Sequence, residues 1–250
     1  MPGVSRVRAG TAEAAHAAYA RPALALAIAV AGFTLTAALI AWWPSVRLRW
    51  QVDASLIAIA DVVVLSAPMI AAAVLAGRVA ASTLLSALGL RQWRALDLVI
   101  GAAIALAARA AVEIVAPTVP GSSGFFSAGP LGAPVNVFAI VVALTTAVLI
   151  SPVVEEVFFR GLLQRSLGDL LGSRGVIAGV VVVAVSTVSF VAIHAIGPIV
   201  AGATMPVGTL VGTAAVGIGC ATLVFVTGRL GGALCAHILF NTLGVAMLLA

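Results

Sequence analysis

The chain of 250 residues contains no lysine, and charged residues of any kind make up 8% of it, against about 25% in an ordinary soluble domain. Its net charge of +5 therefore rests on 13 arginines against 8 acidic residues. Apart from Arg109 and Arg160, these arginines sit outside the apolar runs or at their ends, and they form no basic patch interleaved with aromatics. That excludes a nucleic-acid partner and makes the arginines a signal of membrane orientation. There are two cysteines, Cys220 and Cys235, both in apolar segments, which gives neither a disulfide framework nor a metal cluster. His-Glu-x-x-His, Gly-x-Ser-x-Gly and a pair of membrane aspartates are also missing. The usual signatures of zinc, serine and aspartyl hydrolases therefore do not apply. What the chain has in excess is apolar surface, with 63% hydrophobic residues and a mean hydropathy of +1.25. No soluble domain of this size could hide that much, so an all-α, polytopic transmembrane bundle is expected.

The apolar runs give about seven spans. Residues 1–21 are polar and carry Arg6, Arg8 and Arg21, which reads as a cytoplasmic tail. The first run, Pro22 to Trp43, ends in an aromatic anchor, Trp42-Trp43-Pro44, and is expected to stay uncleaved. The second is Leu56 to Ala76 and contains Asp61. Residues 78–94 alternate leucines and Trp93 with polar groups, the pattern of an amphipathic helix lying on the membrane surface. The third run, Leu96 to Ala116, holds Arg109 and Glu113 at i,i+4, a pair neutralised within one helix. Pro117 to Pro134 is an uncharged loop rich in Gly, Pro and Ser. The fourth run starts near Val135 and continues to Leu171, with Pro152 expected to kink it. The fifth, Val176 to Ile196, is expected to break at Gly197-Pro198. The sixth is Val207 to Thr227 and the seventh Ala233 to Ala250. Residues 22–134 are thus the N-terminal transmembrane helices, and 135–250 the segment that holds the unusual polar groups. With the N-terminus inside, one side of the membrane collects Arg6, Arg8, Arg21, Arg78, Arg91, Arg94, Arg165, Arg174 and Arg229, and the other only Arg47 and Arg49. The positive-inside rule then places the N-terminus in the cytoplasm of a multi-pass plasma-membrane protein.

Chemistry concentrates where lipid should exclude it. Glu155, Glu156 and Arg160 fall within six residues, and one charge at the bilayer centre costs about 2.5–3.5 kcal/mol on insertion scales. Glu156 and Arg160 are i,i+4 on one face and can pair. Glu155 is rotated about 100° away and is left free. Further apolar helices carry His194 and the i,i+4 pair His237 and Asn241. Folding the fourth and fifth runs antiparallel about a turn near Gly172 brings Glu155 and His194 within about 10 Å in height. His237, only a few residues past Gly231, would meet them if that turn is sunk into the protein. A carboxylate and a neutral imidazole can polarise one water, directly or through a metal. A second histidine and an asparagine amide can donate to an oxyanion.

The set Glu155-Glu156-x-x-x-Arg160, Phe190-x-x-x-His194 and His237-x-x-x-Asn241 resembles the CPBP family of intramembrane proteases, which includes CAAX prenyl endopeptidases and abortive-infection or bacteriocin-immunity proteins. The resemblance covers about the last 100 residues. It implies peptide-bond hydrolysis in a cavity within the bilayer, with Glu155 and His194 activating water. It also implies that His237 and Asn241 stabilise the oxyanion and that Glu156 and Arg160 support the site. The family's mechanism is described both as metal-independent and as zinc-dependent, and Glu155, His194 and His237 could hold zinc with one position open. The expected partners are a membrane protein or peptide substrate and the lipid bilayer. Two other classes compete. A non-catalytic immunity factor or scaffold could bind a peptide in the same cavity, and a proton-coupled transporter also uses membrane Glu and His. The transporter reading lacks the internal repeats it would normally show.

Overall fold

The computed structural model describes residues 17–115, 136–172 and 175–249. The expected loop at 117–134, residues 1–16 of the tail, and Arg174 lie outside the described residues. Six helices are long and apolar enough to cross a bilayer. They are α1 (Pro22–Arg47), α2 (Ala54–Ala76), α3 (Ala95–Val115), α4 (Val137–Leu171), α5 (Val176–Val200) and α6 (Val207–Thr227). A shorter apolar helix, α7 (Gly231–Leu249), follows. The protein is an all-helical, multi-pass integral membrane protein. In lipid the backbone must satisfy its own hydrogen bonds, and helices do this within each segment. Leu24, Val30, Leu35, Val63, Val180 and Val188 all stand exposed on the bundle, as lipid-facing residues should.

Local chemistry sets the helix ends. Asp53 caps α2 by accepting the Ser55 N–H at 2.8 Å, and Asn136 caps α4 by accepting the Ala139 N–H at 2.9 Å. Gly172 (φ 60°) ends α4 and opens the expected turn to α5, and Gly228 (φ 67°) ends α6. Asp61 links α1 to α2, accepting from Trp43 Nε1 at 2.6 Å and from Arg47 at 2.9 Å. Arg109 and Glu113 pair at 2.6 Å.

Three segments differ from the sequence reading. Residues 78–94 do not form an amphipathic helix: a 3₁₀ turn, Gly77–Val79, is followed by a single helical turn, Leu84–Ala87. Gly89 at φ 75° stops that turn, and Leu88 is buried against Gly161. Tertiary packing thus overrides the amphipathic pattern. Helix α5 does not break at Gly197-Pro198 but runs to Val200. Proline removes one N–H, that for the His194 carbonyl, and near a helix end the remaining bonds hold; Gly202 at φ 70° follows the helix end. Residues 18–20, at the end of the expected tail, are docked into the bundle. Tyr19 is buried, its hydroxyl donates to the Gly161 carbonyl at 3.0 Å, and its N–H and that of Ala18 donate to Asp169. Burial pushes the Tyr19 phenol above its ordinary pKa.

The bundle has two packed clusters. One joins α1, α2 and α5 to Phe158, Phe159, Leu162 and Leu163 of α4. The other joins α3, α6 and α7 and receives Val153 and Val157 from α4. Helix α4 therefore runs through the seam. Close approach there needs small residues. A β-carbon on Gly32 of α1 would lie 2.7 Å from the Ala72 β-carbon of α2 and 3.1 Å from the Phe158 ring. Overpacking of this kind typically costs about 1–3 kcal/mol. Gly32→Ala should accordingly lower the melting temperature in detergent by several degrees, and a parent-like value would show that α1 and α2 part freely.

Candidate active site

The site begins with a change of helical register in α4. Thr146–Ile150 form a π-turn in which the Ser151 N–H bonds to the Thr146 carbonyl, five residues back. In that register the next carbonyl, Ala147, would look to residue 152, which is proline and has no N–H. The Asn241 side chain of α7 donates to that carbonyl through Nδ2 at 2.8 Å. The expected simple kink at Pro152 is therefore a widened turn whose free carbonyl ties α4 to α7. Such turns are frequent at functional sites. A six-residue α-helical stretch, Ser151–Glu156, follows, and a second π segment, Val157–Gln164.

Glu156 and Arg160 point into the seam, and both are fully buried. Arg160 Nη1 donates to Glu156 Oε1 at 2.9 Å, and Nη2 donates to the Gly217 carbonyl at 3.3 Å. Gln164, four residues on, donates to the Ala221 carbonyl at 2.8 Å. Two side chains four apart thus pin α4 to two carbonyls four apart on α6. The Phe190 ring lies 4.4 Å from the Arg160 guanidinium carbon and packs beside His194 at 4.6 Å and His237 at 5.4 Å. The Arg160 cation lies over the Phe190 ring, and the two imidazoles pack against that ring at steep angles, tilted for His194 and edge-on for His237.

Glu155 points the other way. Its Oε2 lies 3.8 Å from His194 Nε2 and 3.8 Å from His237 Nε2. His194 Nδ1 lies 2.8 Å from the Phe190 carbonyl, which can only accept, so Nδ1 carries the hydrogen. His237 Nδ1 lies 2.9 Å from Glu156 Oε1, which Arg160 already neutralises as a carboxylate, so here too Nδ1 donates. In the neutral rings both Nε2 lone pairs then face Glu155. The height of His237 follows from a sunken turn. The Leu230 N–H donates to the Gly89 carbonyl at 3.0 Å. Arg229 holds Asp97 with two bonds of 2.6 and 2.5 Å. A β-carbon on Gly231 would come within 2.8 Å of the Trp93 ring.

Two cavities meet at Glu155 and His194. One, of about 210 Å³, is lined by Glu155, His194, His237, Asn241, Thr213 and Phe240 among others. The second, of about 160 Å³, lies among α1, α2, α4 and α5 and includes Ser66, Met69, Ser151, Glu155 and His194. Ser151, one turn before Glu155, lines both. Sequence reasoning missed it because a serine in a helix ordinarily bonds back to its own backbone, as Thr36, Thr146 and Thr213 do here. Its i,i+4 spacing to Glu155 was the available signal.

Residues 136–243 match the model of a family described as type II CAAX prenyl endopeptidase Rce1-like. The match supports reading this segment as a domain of the CPBP family of intramembrane proteases. The match runs from the cap of α4 to just past Asn241 and includes Glu155, Glu156, Arg160, His194 and His237, whereas Gly89, Trp93 and Asp97, which hold the turn before α7, lie outside it. Comparison with curated proteins and with solved structures gives no match.

The CPBP domain has donor types suited to a metal. Two Nε2 lone pairs and a carboxylate converge, and each histidine's other nitrogen is fixed by an acceptor, as in metal-ligating histidines. As placed, no three His, Cys, Asp or Glu residues among those described are arranged as a ligand shell.

Proposed function

We propose that the CPBP domain hydrolyses peptide bonds of membrane-associated proteins or peptides, with Glu155 as the general base. One observation carries this reading. Of two adjacent carboxylates, one is locked by Arg160 and His237, while the other faces two imidazole nitrogens at 3.8 Å. That distance is too long for a direct hydrogen bond and suits a bridging water. Glu155 takes a proton from this water while His194 Nε2 helps to hold it, and the water oxygen attacks the scissile carbonyl. The second Asn241 N–H is available to the resulting oxyanion, because Ala147 uses only one. His237 Nε2 can donate there only as the imidazolium, since its neutral ring keeps the hydrogen on Nδ1. The C–N bond then breaks, and the proton held by Glu155 passes to the leaving amine. Zinc, if used, would be held by Glu155, His194 and His237 and would lower the pKa of a bound water. The arginine-rich end of the bundle faces the cytoplasm of a plasma-membrane protein in this reading.

The test uses purified protein in proteoliposomes with prenylated and unprenylated peptide substrates, beside metal analysis and chelator treatment. His194→Ala should slow cleavage by about 10²-fold or more and leave the melting temperature unchanged. Cleavage at the parent rate would remove His194 from the reaction. Loss of cleavage with a chelator, restored by zinc, would make the enzyme a metalloprotease.

A second reading has one observation in its favour: His237 Nδ1 and one of the two Asn241 amide hydrogens are spent on internal partners. Polar groups that satisfy one another suit a non-catalytic scaffold or immunity protein that only binds a peptide. In that case Glu155→Gln would preserve the biological effect.

A further inference from the structure

The end of the bundle away from the 200–206 loop holds a cavity of about 430 Å³, bordered by residues 17–18, 81–92, the last turns of α4 and the turn after α6. Arg91, Arg165 and Arg229 line it, with Ser86, Gln92 and Thr227. The three arginines are not equivalent. Arg229 is paired with Asp97. Arg91 is exposed and, among the described residues, has no ion pair. Arg165 donates from Nη1 to the Gly228 carbonyl at 2.6 Å, while its Nε is buried without a hydrogen-bond partner. No described carboxylate lies within ion-pair distance of Arg165. Asp169, one turn on, spends its Oδ2 on the N–H groups of Ala18 and Tyr19 at 2.8 and 2.9 Å.

Arg165 is half-buried and Asp169 acts on its charge only from beyond ion-pair distance, so a guanidinium with an unpartnered Nε has donors left for a further anion. Here the polar space beside it is occupied by no group among the described residues. The planar fork of arginine matches a phosphate, and a second arginine on the rim adds charge at little structural cost. Depth narrows the choice of source. Arg165 is ten residues along α4 from Glu155, at most about 15 Å, because the π segment between them rises less per residue. That approaches half of a hydrocarbon core about 30 Å thick, which puts the cavity near the headgroup boundary if Glu155 lies near the midplane. We propose that this cavity is an anion site for a phosphate group, supplied by an anionic phospholipid headgroup or by a free phosphate. The assignment does not depend on the enzyme's activity. A bound phosphate would brace the Gly228–Leu230 turn, which leads directly into α7 and His237.

The test is the melting temperature of the full-length protein in a neutral detergent. It is measured with short-chain phosphatidylglycerol, with short-chain phosphatidylcholine and with inorganic phosphate. A rise of several degrees with phosphatidylglycerol but not phosphatidylcholine is expected. A rise with inorganic phosphate as well would make the free anion a sufficient ligand, and its absence would assign the lipid headgroup. Arg165→Gln should abolish the rise. Arg91→Gln, an exposed change that leaves packing intact, should weaken the apparent affinity at least fivefold and serves if Arg165→Gln fails to fold. No rise with either anion, or an unchanged rise in the Arg91→Gln protein, would overturn the site.

Discussion

Arg160→Ala should cost the protein its fold as well as its activity. Arg160 and Glu156 are both fully buried, and Arg160 also reaches the Gly217 carbonyl of α6 and lies against the Phe190 ring. Truncation removes the charge paired with Glu156, one bond between α4 and α6, and a large packed side chain at the centre of the seam. Glu156 Oε2 already lacks a hydrogen bond, so the stranded carboxylate has only His237 to turn to. Removing one partner of a buried pair typically costs about 3–5 kcal/mol, a large share of a marginal stability. Thermal unfolding in detergent checks this: a drop of ten degrees or more, or loss of the monodisperse species, is expected. Arg160→Lys should recover part of the stability, because an ammonium can reach Glu156 but lacks the planar fork that also spans to Gly217. A parent-like melting temperature in Arg160→Ala would show that the pair contributes nothing to the fold.

How much of this was readable from residues depends on the range over which each feature is determined. The spans were legible because uninterrupted Ala, Leu, Val and Ile admit only helices in lipid, and Val207–Thr227 is found with its expected bounds. The Glu156–Arg160 contact was legible because i,i+4 neighbours share a face. Glu155 and His194 could be brought together by counting from Gly172. The π-turn at Thr146–Ile150 was not legible. Pro152 announces a disturbance, but only the position of Asn241, 94 residues away, shows where the freed carbonyl goes. The height of His237 depends on a turn drawn inward by Gly89, Trp93 and Asp97, all distant in sequence. The stretch at 78–94 misled because leucines that pack on α4 have the same spacing as leucines that face lipid.

Glu155→Gln should have the opposite profile to Arg160→Ala, with the fold intact and turnover lost. The side chain is partly exposed to both cavities and its nearest polar groups, on His194 and His237, are 3.8 Å away, beyond hydrogen-bond reach. An amide of the same shape fills the same space, so the melting temperature should stay within about a degree. It cannot take a proton from water, and loss of a positioned general base is worth about 10²–10⁴ in rate. Glu156→Gln, by contrast, breaks the Arg160 pair and should unfold early. The account therefore turns on one comparison: single-turnover cleavage of a membrane peptide by the parent and by Glu155→Gln in proteoliposomes, at matched folded protein. A fall of at least 10²-fold with unchanged peptide binding is the predicted result. Cleavage by Glu155→Gln at the parent rate would contradict the assignment of Glu155 as the base.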